Sequence, residues 1–216
     1  MYKLKKRQEV YLFFRRILDI LFSLLIILLG SWFILIILII NLFSSKGHPL
    51  FKQQRVGQRS KPFNVIKFRT MKYGTDENLT SEDISNDKSC YTRFGRFLRA
   101  FSLDEIPQIF NVFIGNMSFI GPRPLIDSGA DHLTIEERKK NGSDNLKPGI
   151  TGLAQIHGRV NTTPMKKSEY DGLYYQKVSF WLDTKISFIT IFKVLFRKDV
   201  FTKGKDKETK EEKKDE

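Results

Sequence analysis

The chain has 216 residues, a formal net charge of +13 and one cysteine. This length allows one domain with appendages, and the lone Cys90 excludes an internal disulfide framework. The charge favours an anionic partner, such as nucleic acid, an anionic membrane face or a phosphorylated small molecule. The three histidines, His48, His132 and His157, are scattered without a Cys/His cluster, so no zinc site is predicted.

The first unit along the chain, residues 1–45, is predicted to be a membrane-embedded helix. Residues 20–40 carry no charge, and about 20 apolar residues suffice to cross the hydrocarbon core of a bilayer. Leu and Ile surround the whole circumference, which argues against the buried helix of a soluble protein. At the membrane edge, Arg16 and Asp19 are three residues apart on one helix face and are predicted to pair.

Both flanks of this helix are basic. A spanning helix keeps its positive flank on the cytosolic side, whereas here residues 3–16 and 46–72 both look cytosolic. Two topologies are therefore open: the helix enters and returns from the same face, or it spans with a short tail outside. Gly30 and Ser31 lie at the middle of the run, where they would support a bend without a proline.

Residues 46–198 are predicted to form a cytosolic domain, followed by a charged, disordered tail over residues 199–216. In the extended segment 62–71, Lys67 and Arg69 share one face. Two cations on one face favour a phosphate or a lipid headgroup, and a solvated strand face is an equal alternative. The polar, acidic stretch 73–89 is predicted to be a loop.

Two further segments have the helical period. Residues 92–101 carry phenylalanines on one face and arginines on another, and residues 180–196 are rich in aromatic side chains. Both patterns are typical of amphipathic helices that lie at a membrane interface. A helix that packs on the protein core is the alternative for each.

The acidic pair Asp104 and Glu105 comes just before Pro107, which is tolerated only in a first helical turn. Ser102 and Glu105 have the spacing of a capping box, and Gly115 is a residue that ends helices. The pattern predicts a short helix from Glu105 to Phe113. Free N–H groups in its first turn would keep a neighbouring carboxylate ionised, ready to act as a nucleophile or a metal ligand. The alternative is that the pair only caps the helix.

A cation between prolines follows this helix. In Gly121-Pro122-Arg123-Pro124 the prolines restrict the backbone around one arginine, and a guanidinium on a stiff loop suits a phosphate. Residues 147–159 are rich in glycine, which serves tight turns and close backbone approach to a ligand. They lack the GxxxxGK[ST] pattern, so a P-loop nucleotide site is excluded.

Several of these segments together resemble the bacterial sugar transferase family, the small monotopic polyprenyl-phosphate phosphoglycosyl transferases. The resemblance is carried, in order, by residues 15–19, 51–57, 67–71, 102–112, 117–124, 147–159 and 182–185. It covers the chain from about Arg15 to Arg197, and so many long motifs in order make it specific. The family usually has Ser-Pro at the middle of the membrane helix, where this chain has Ser31-Trp32.

The resemblance implies the transfer of a sugar-1-phosphate from a UDP-sugar to undecaprenyl phosphate, with release of UMP. It implies that Asp104 is the nucleophile, that Glu105 holds Mg²⁺ and that the membrane helix is re-entrant. Covalent catalysis by an ionised Asp and charge stabilisation by Mg²⁺ and fixed cations are sound chemistry for such a step. The phosphate- or substrate-binding candidates are Arg123 first, then Lys67, Arg69, Arg99 and Arg159. Asp171 and Asp183 match acidic positions of the family and are assigned supporting roles.

The predicted fold class is α/β, mostly helical with a small sheet component, with a membrane-embedded helix and interfacial amphipathic helices. The predicted location is the cytoplasmic face of the bacterial inner membrane, among membrane lipids. A membrane-anchored scaffold that binds lipid or a partner is the alternative function. No nucleic-acid motif is present, so nucleic acid is not a predicted partner. The sequence identifies neither the sugar, the pathway nor the oligomeric state, for which a homodimer is one candidate.

Overall fold

The computed structural model describes residues 3–44, 47–72, 74–75, 90–158 and 163–196. The helices in this part of the chain are α1 (Lys6–Ser44), α2 (Arg93–Ala100), α3 (Gln108–Ile114), α4 (Gly129–Asn141), α5 (Leu153–His157), α6 (Pro164–Lys177) and α7 (Phe180–Leu195). The strands are β1 (Leu50–Val56), β2 (Pro62–Phe68), β3 (Ser118–Ile120) and β4 (Gly149–Thr151). This composition confirms the predicted fold class. The predicted tail, and all of the predicted acidic loop except residues 74–75, lie outside the described residues.

Most of the buried residues of helix α1 are polar, whereas most of its apolar side chains are exposed. The buried residues form one stripe along the helix: Gln8, Arg15, Asp19, Ser23, Ile34, Ile37 and Asn41. Large apolar side chains elsewhere on the helix are mostly exposed, such as Leu28 and Leu29 at 65% and 66%. By length and composition α1 could cross a membrane. The inverted pattern suits a lipid environment, because apolar surface facing water is unfavourable.

Both ends of α1 contact the rest of the protein. Near its C-terminal end, Ile34 and Ile37 pack in a buried cluster with Phe68 and Leu98. Near its N-terminal end, Gln8 donates from Nε2 to the carbonyl of Gln176 in α6 (2.8 Å). Between these contacts the backbone stays helical through the predicted bend site at residues 30–31.

The predicted pair between Arg16 and Asp19 is wrong. Arg16 donates instead to the carbonyl oxygens of Val112 (2.6 Å) and Phe113 (2.8 Å) near the end of α3. The last carbonyls of a helix lack intrahelical partners and carry partial negative charge, so a guanidinium is well placed there. This contact joins the membrane helix to the helix that follows the acidic pair.

Two short sheets position the loops of the domain. Strands β1 and β2 pair antiparallel, with Phe51 opposite Lys67, and β3 and β4 pair parallel. The glycine-rich segment 147–158 forms β4 and α5 rather than turns alone. Its Gly149 lies so close to Gly121 that a Cβ on Gly149 would come within 2.1 Å of the Gly121 nitrogen. The predicted close backbone approach therefore includes one to another backbone segment.

A buried asparagine ties α3 to β2. The Asn111 side chain is 1% exposed, accepts from the Ile66 N–H (3.0 Å) and donates to the Asn64 carbonyl (2.7 Å). Its amide thus satisfies both backbone groups as a neighbouring strand would. Lys67 is the residue after Ile66 in β2. The Asn111 contact therefore sets the position of the Lys67 side chain relative to the residues before α3.

A buried polar cluster anchors the start of α1 to α6 and α7. Asp183 accepts from the hydroxyls of Tyr11 and Tyr174, each at 2.6 Å, and pairs with Arg15 at 3.3 Å. Arg15 also donates to the Tyr174 hydroxyl (2.6 Å). Burial, more than any other influence, raises the pKa of Tyr174 well above its ordinary value. The cluster gives Asp183 a structural role.

Replacing Asp183 by asparagine is expected to lower the melting temperature by roughly 6 to 12 °C. The substitution leaves the buried Arg15 charge unpaired, at a cost of about 3 kcal/mol. Thermal unfolding followed by circular dichroism measures the change. Asp127→Asn is the matched control, because Asp127 pairs with His132 (2.7 Å) where both side chains are more than half exposed. Equal melting temperatures for the two variants would refute the anchoring role.

Candidate active site

The acidic pair lies on a single 3-10 turn, Leu103–Glu105, which precedes α3. Ser102 enters this turn in the left-handed conformation (φ 55°), and its side chain makes no capping bond. The predicted capping box is therefore wrong, and the helix begins at Gln108 with Pro107 as its N-cap. The predicted helix end is confirmed, because Gly115 is the left-handed C-cap (φ 98°).

Asp104 is buried beside another carboxylate. Asp104 is 8% exposed, and its side chain makes no hydrogen bond with the described residues. Burial raises its pKa, and the neighbouring charge of Glu105 raises it further; Lys67, Arg99 and Arg123 oppose the rise. This corrects the expectation that helix N–H groups hold the Asp104 carboxylate ionised. An ionised carboxylate with a raised pKa is the stronger nucleophile.

Glu105 gathers two of the predicted cations. Its Oε1 accepts from the Arg123 Nη2 at 3.2 Å and from the Lys67 Nζ at 3.5 Å. The Glu105 charge is the main cause of a raised pKa for Arg123. Burial lowers the pKa of Lys67, and Glu105 opposes the change. The structure thus brings β2, the 3-10 turn and the Pro-Arg-Pro loop to one point.

Two more arginines complete the positive charge around the pair. Arg99, at the end of α2, lies over the Tyr91 ring with its Cζ 4.7 Å from the centroid, and its charge acts on Asp104. Arg55, on β1, was not predicted. Burial and the nearby charge of Arg123 lower the pKa of Arg55 to about 10.

The charges at this point do not balance. Four cations (Lys67, Arg55, Arg99 and Arg123) lie near the carboxylates of Asp104 and Glu105, and Asp131 adds a third carboxylate that acts on Arg55 and Arg123. An anionic ligand, such as a diphosphate, would neutralise the remaining positive charge. It would also explain why these partly exposed cations are held beside one another, since like charges repel without such a ligand.

The remaining sequence candidates lie elsewhere. Arg69 is just beyond the end of β2 and donates from Nε to the His48 carbonyl (3.0 Å). Asp171 is 1% exposed and pairs with Arg138 (2.6 Å), and burial is the main cause that raises the pKa of Asp171. Arg159 lies outside the described residues.

A largely apolar cavity of about 660 Å³ is lined by Glu105 of the acidic pair. Its wall also includes Phe22 and Ile26 of α1 and Ile191 of α7. The cavity therefore extends from the apolar surface of α1 to Glu105, which pairs with Arg123 and Lys67. This arrangement suits an amphiphile with an apolar chain and an anionic head.

The model of the family described as bacterial sugar transferase matches residues 10–197. The chain belongs to the bacterial sugar transferase family. Its sequence is 41% identical to a UDP-glucose:undecaprenyl-phosphate glucose-1-phosphate transferase of Klebsiella pneumoniae, covering 87% of this chain and 41% of that protein. It is 44% identical to the uncharacterized sugar transferase EpsL of Bacillus subtilis, covering 69% and 71%.

A further relative is an undecaprenyl-phosphate galactose phosphotransferase of Salmonella typhimurium, which is 35% identical over 87% of this chain and 41% of its own length. The chain thus spans about two fifths of the length of the Klebsiella and Salmonella relatives. Both names contain undecaprenyl phosphate, and they differ in the sugar.

The sequence patterns did not single out Arg55 and Tyr91, which lie at the candidate site, or Arg138, which pairs with Asp171. Arg55 lies in the family segment 51–57, so the resemblance offered a signal for it. Arg138 pairs with Asp171, which is 33 positions away. The periodicity of a helix or strand does not indicate a contact over that distance in sequence. Tyr91 stands beside the predicted basic helix, but only the fold brings its ring under Arg99.

Proposed function

We propose that this protein transfers a sugar-1-phosphate from a UDP-sugar to undecaprenyl phosphate and releases UMP. The observation that carries the proposal is the buried Asp104, which is set among cations and precedes Glu105, a residue that lines a largely apolar cavity. The names of relatives support the substrates, since they include UDP-glucose and undecaprenyl phosphate. The transferred sugar is open, because relatives named for glucose and galactose both match.

In the first step, an Asp104 carboxylate oxygen attacks the β-phosphorus of the UDP-sugar. The Asp104 O–P bond forms, the bond from that phosphorus to the oxygen bridging it to the α-phosphate breaks, and UMP leaves with the electron pair. Arg123 and Lys67, which Glu105 holds and whose charges act on Asp104, would stabilise charge on the transferring phosphoryl group. A covalent phosphosugar-aspartyl intermediate results.

In the second step, a phosphate oxygen of undecaprenyl phosphate attacks the same phosphorus. The new P–O bond forms, the Asp104 O–P bond breaks, and the carboxylate is regenerated as the lipid diphosphate sugar leaves. The apolar cavity beside Glu105 supports this step, because it can hold the first isoprene units next to the charged cluster. Because the transfer is divided into two steps, the UDP-sugar and the undecaprenyl phosphate react one after the other with the same residue, Asp104.

Glu105 is the residue that would hold Mg²⁺. No group of three or more metal-ligating side chains occurs in the described part of the chain, but Mg²⁺ is commonly held by one or two carboxylates together with substrate phosphates and waters. Glu105, with Asp104 beside it, fits that mode. When bound there, the ion would neutralise charge on the diphosphate as the P–O bond breaks. Glu105 also orients Arg123 and Lys67 through its Oε1.

The proposal includes a position at the cytoplasmic face of the inner membrane. The exposed apolar surface of α1 supports membrane insertion. Contacts from both ends of α1 to the same domain support a position of both ends on one side of the membrane, although α1 shows no break at residues 30–31, where a re-entrant bend was predicted. Large exposed apolar side chains on α7, such as Phe188 and Phe192, support an interfacial position for that helix.

The decisive test is UMP release by detergent-purified protein with Mg²⁺, undecaprenyl phosphate and a panel of UDP-sugars. We expect UMP with one sugar or a few, and a lipid product that carries the same sugar. Folded protein that releases no UMP with any UDP-sugar would contradict the proposal. It would favour the alternative of a membrane-anchored scaffold that binds lipid or a partner enzyme.

A further inference from the structure

The Pro-Arg-Pro loop is held by its carbonyl oxygens. Pro122 and Pro124 have no backbone N–H, so the loop depends on acceptors for its fixation. Each of four consecutive carbonyls has a donor from another element, as follows. The Pro122 oxygen accepts from the Gly149 N–H (2.8 Å), that of Arg123 from Arg138 Nη1 (2.9 Å), that of Pro124 from Arg55 Nη1 (3.4 Å) and that of Leu125 from the Val56 N–H (2.9 Å).

The donor to the Arg123 carbonyl is itself fixed. Arg138 points inward from α4 and is 8% exposed. Its Nε and Nη2 both reach Oδ2 of Asp171, at 2.8 and 2.6 Å. With two nitrogens held by one carboxylate, the planar guanidinium aims its third nitrogen at the loop.

The neighbours on α4 behave differently. Lys139 and Lys140 point outward and pair with Glu136 and Glu137 three residues away, at 2.7 and 2.6 Å. Such exposed pairs contribute little. Arg138 and Asp171, in contrast, carry their charges into the protein interior. Because removing two charges from water costs free energy, a buried pair of this kind is a candidate for a specific role.

We propose that Arg138, held by Asp171, is a positioning residue that sets Arg123 for phosphate transfer. The proposal rests on the proposed function and assigns Asp171 a task that its 1% exposure allows. Asp171 acts through Arg138 and does not contact substrate. The path runs from Asp171 to Arg138, to the Arg123 carbonyl and so to the Arg123 side chain on Glu105.

The test replaces both buried charges together, because a single substitution would leave one charge unpaired and could unfold the protein. The variant is Arg138→Met with Asp171→Leu, and the control on the surface of α4 is Lys139→Met with Glu136→Leu. Hydrogen exchange followed by mass spectrometry is measured on both without substrate. In the test variant we expect residues 119–126 to exchange at least about tenfold faster while the β1–β2 sheet is unchanged. Unchanged exchange in the loop would overturn the proposal, whether or not the wild type proves to be an enzyme.

The second measurement separates positioning from a general structural effect. UMP release is compared for the wild type, the test variant, Arg123→Ala and the combination of the two. We expect the test variant to lose about tenfold or more in kcat/KM, and to lose less than about twofold when Arg123 is already alanine. Losses that multiply would mean that Arg138 does not act through Arg123. A wild type without activity would refute the proposed function and leave the exchange result to decide the loop contact.

Discussion

Asp104→Asn is expected to abolish UMP release, with a loss of about 10⁴-fold or more in kcat/KM, the scale seen when a nucleophile is removed. The amide has nearly the shape of the carboxylate but cannot attack phosphorus. The measurement is UMP release with UDP-sugar and undecaprenyl phosphate. Labelled sugar phosphate should be retained on denatured wild-type protein and not on the variant. Retention of label by the variant would contradict the assignment of Asp104.

The same substitution is expected to stabilise the fold. The folded-state pKa of Asp104 is raised above its ordinary value, chiefly by burial and then by Glu105. A carboxyl with a raised pKa destabilises the folded state when it is ionised, and this effect grows as pH rises through the folded pKa. A neutral asparagine removes it at neutral pH. A gain of about 1 kcal/mol would raise the melting temperature by roughly 2 to 4 °C.

Asp127→Asn, at an exposed position, serves as the control for both measurements. It should keep both activity and melting temperature. If Asp104→Asn instead melts at lower temperature, the ionised carboxylate is stabilised by its cations more than it is disfavoured by burial. Loss of activity together with a gain in stability is the pattern expected of a strained functional group.

Local rules in the sequence worked where a local cause is sufficient. Gly115 ends α3 in the left-handed conformation, as predicted. Thr92, which was not singled out, caps α2 by the same kind of local preference and accepts from the Gly95 N–H (2.8 Å). These features follow from side-chain and backbone preferences within one turn. The uncharged run of α1 is equally local, since length and composition alone define it.

The same rules failed where distant partners compete. Ser102 and Glu105 have the residue types and the spacing of a capping box. The Glu105 carboxylate nevertheless accepts from Lys67 and Arg123, which are 38 and 18 residues away. Charged hydrogen bonds of that kind outweigh a neutral cap. Arg16 likewise prefers two helix carbonyls about 97 residues away to a partner on its own helix. At both positions, tertiary contacts decided what the side chain touches.

Glu105→Gln is expected to reduce kcat/KM by about 10²-fold or more. The neutral amide loses the charge that holds Arg123 and Lys67 at 3.2 and 3.5 Å, and misplacement of such groups by about 1 Å costs rates of this size. It also loses the carboxylate proposed for Mg²⁺. Glu136→Gln, on the exposed face of α4, is the matched control and should retain full activity.

The pH dependence of this variant tests the coupling inside the pair. Asp104 must be ionised to attack, so kcat/KM should fall on acidification through its raised pKa, above the ordinary value of about 3.9. The Glu105 charge is the second cause of that rise. The Glu105→Gln substitution removes this charge and should lower the Asp104 pKa. The acid limb of the pH profile of kcat/KM should therefore lie at lower pH in the variant than in the wild type. An acid limb that stays in place would mean that burial alone raises the Asp104 pKa, and that Glu105 serves only to hold its cations and the metal ion.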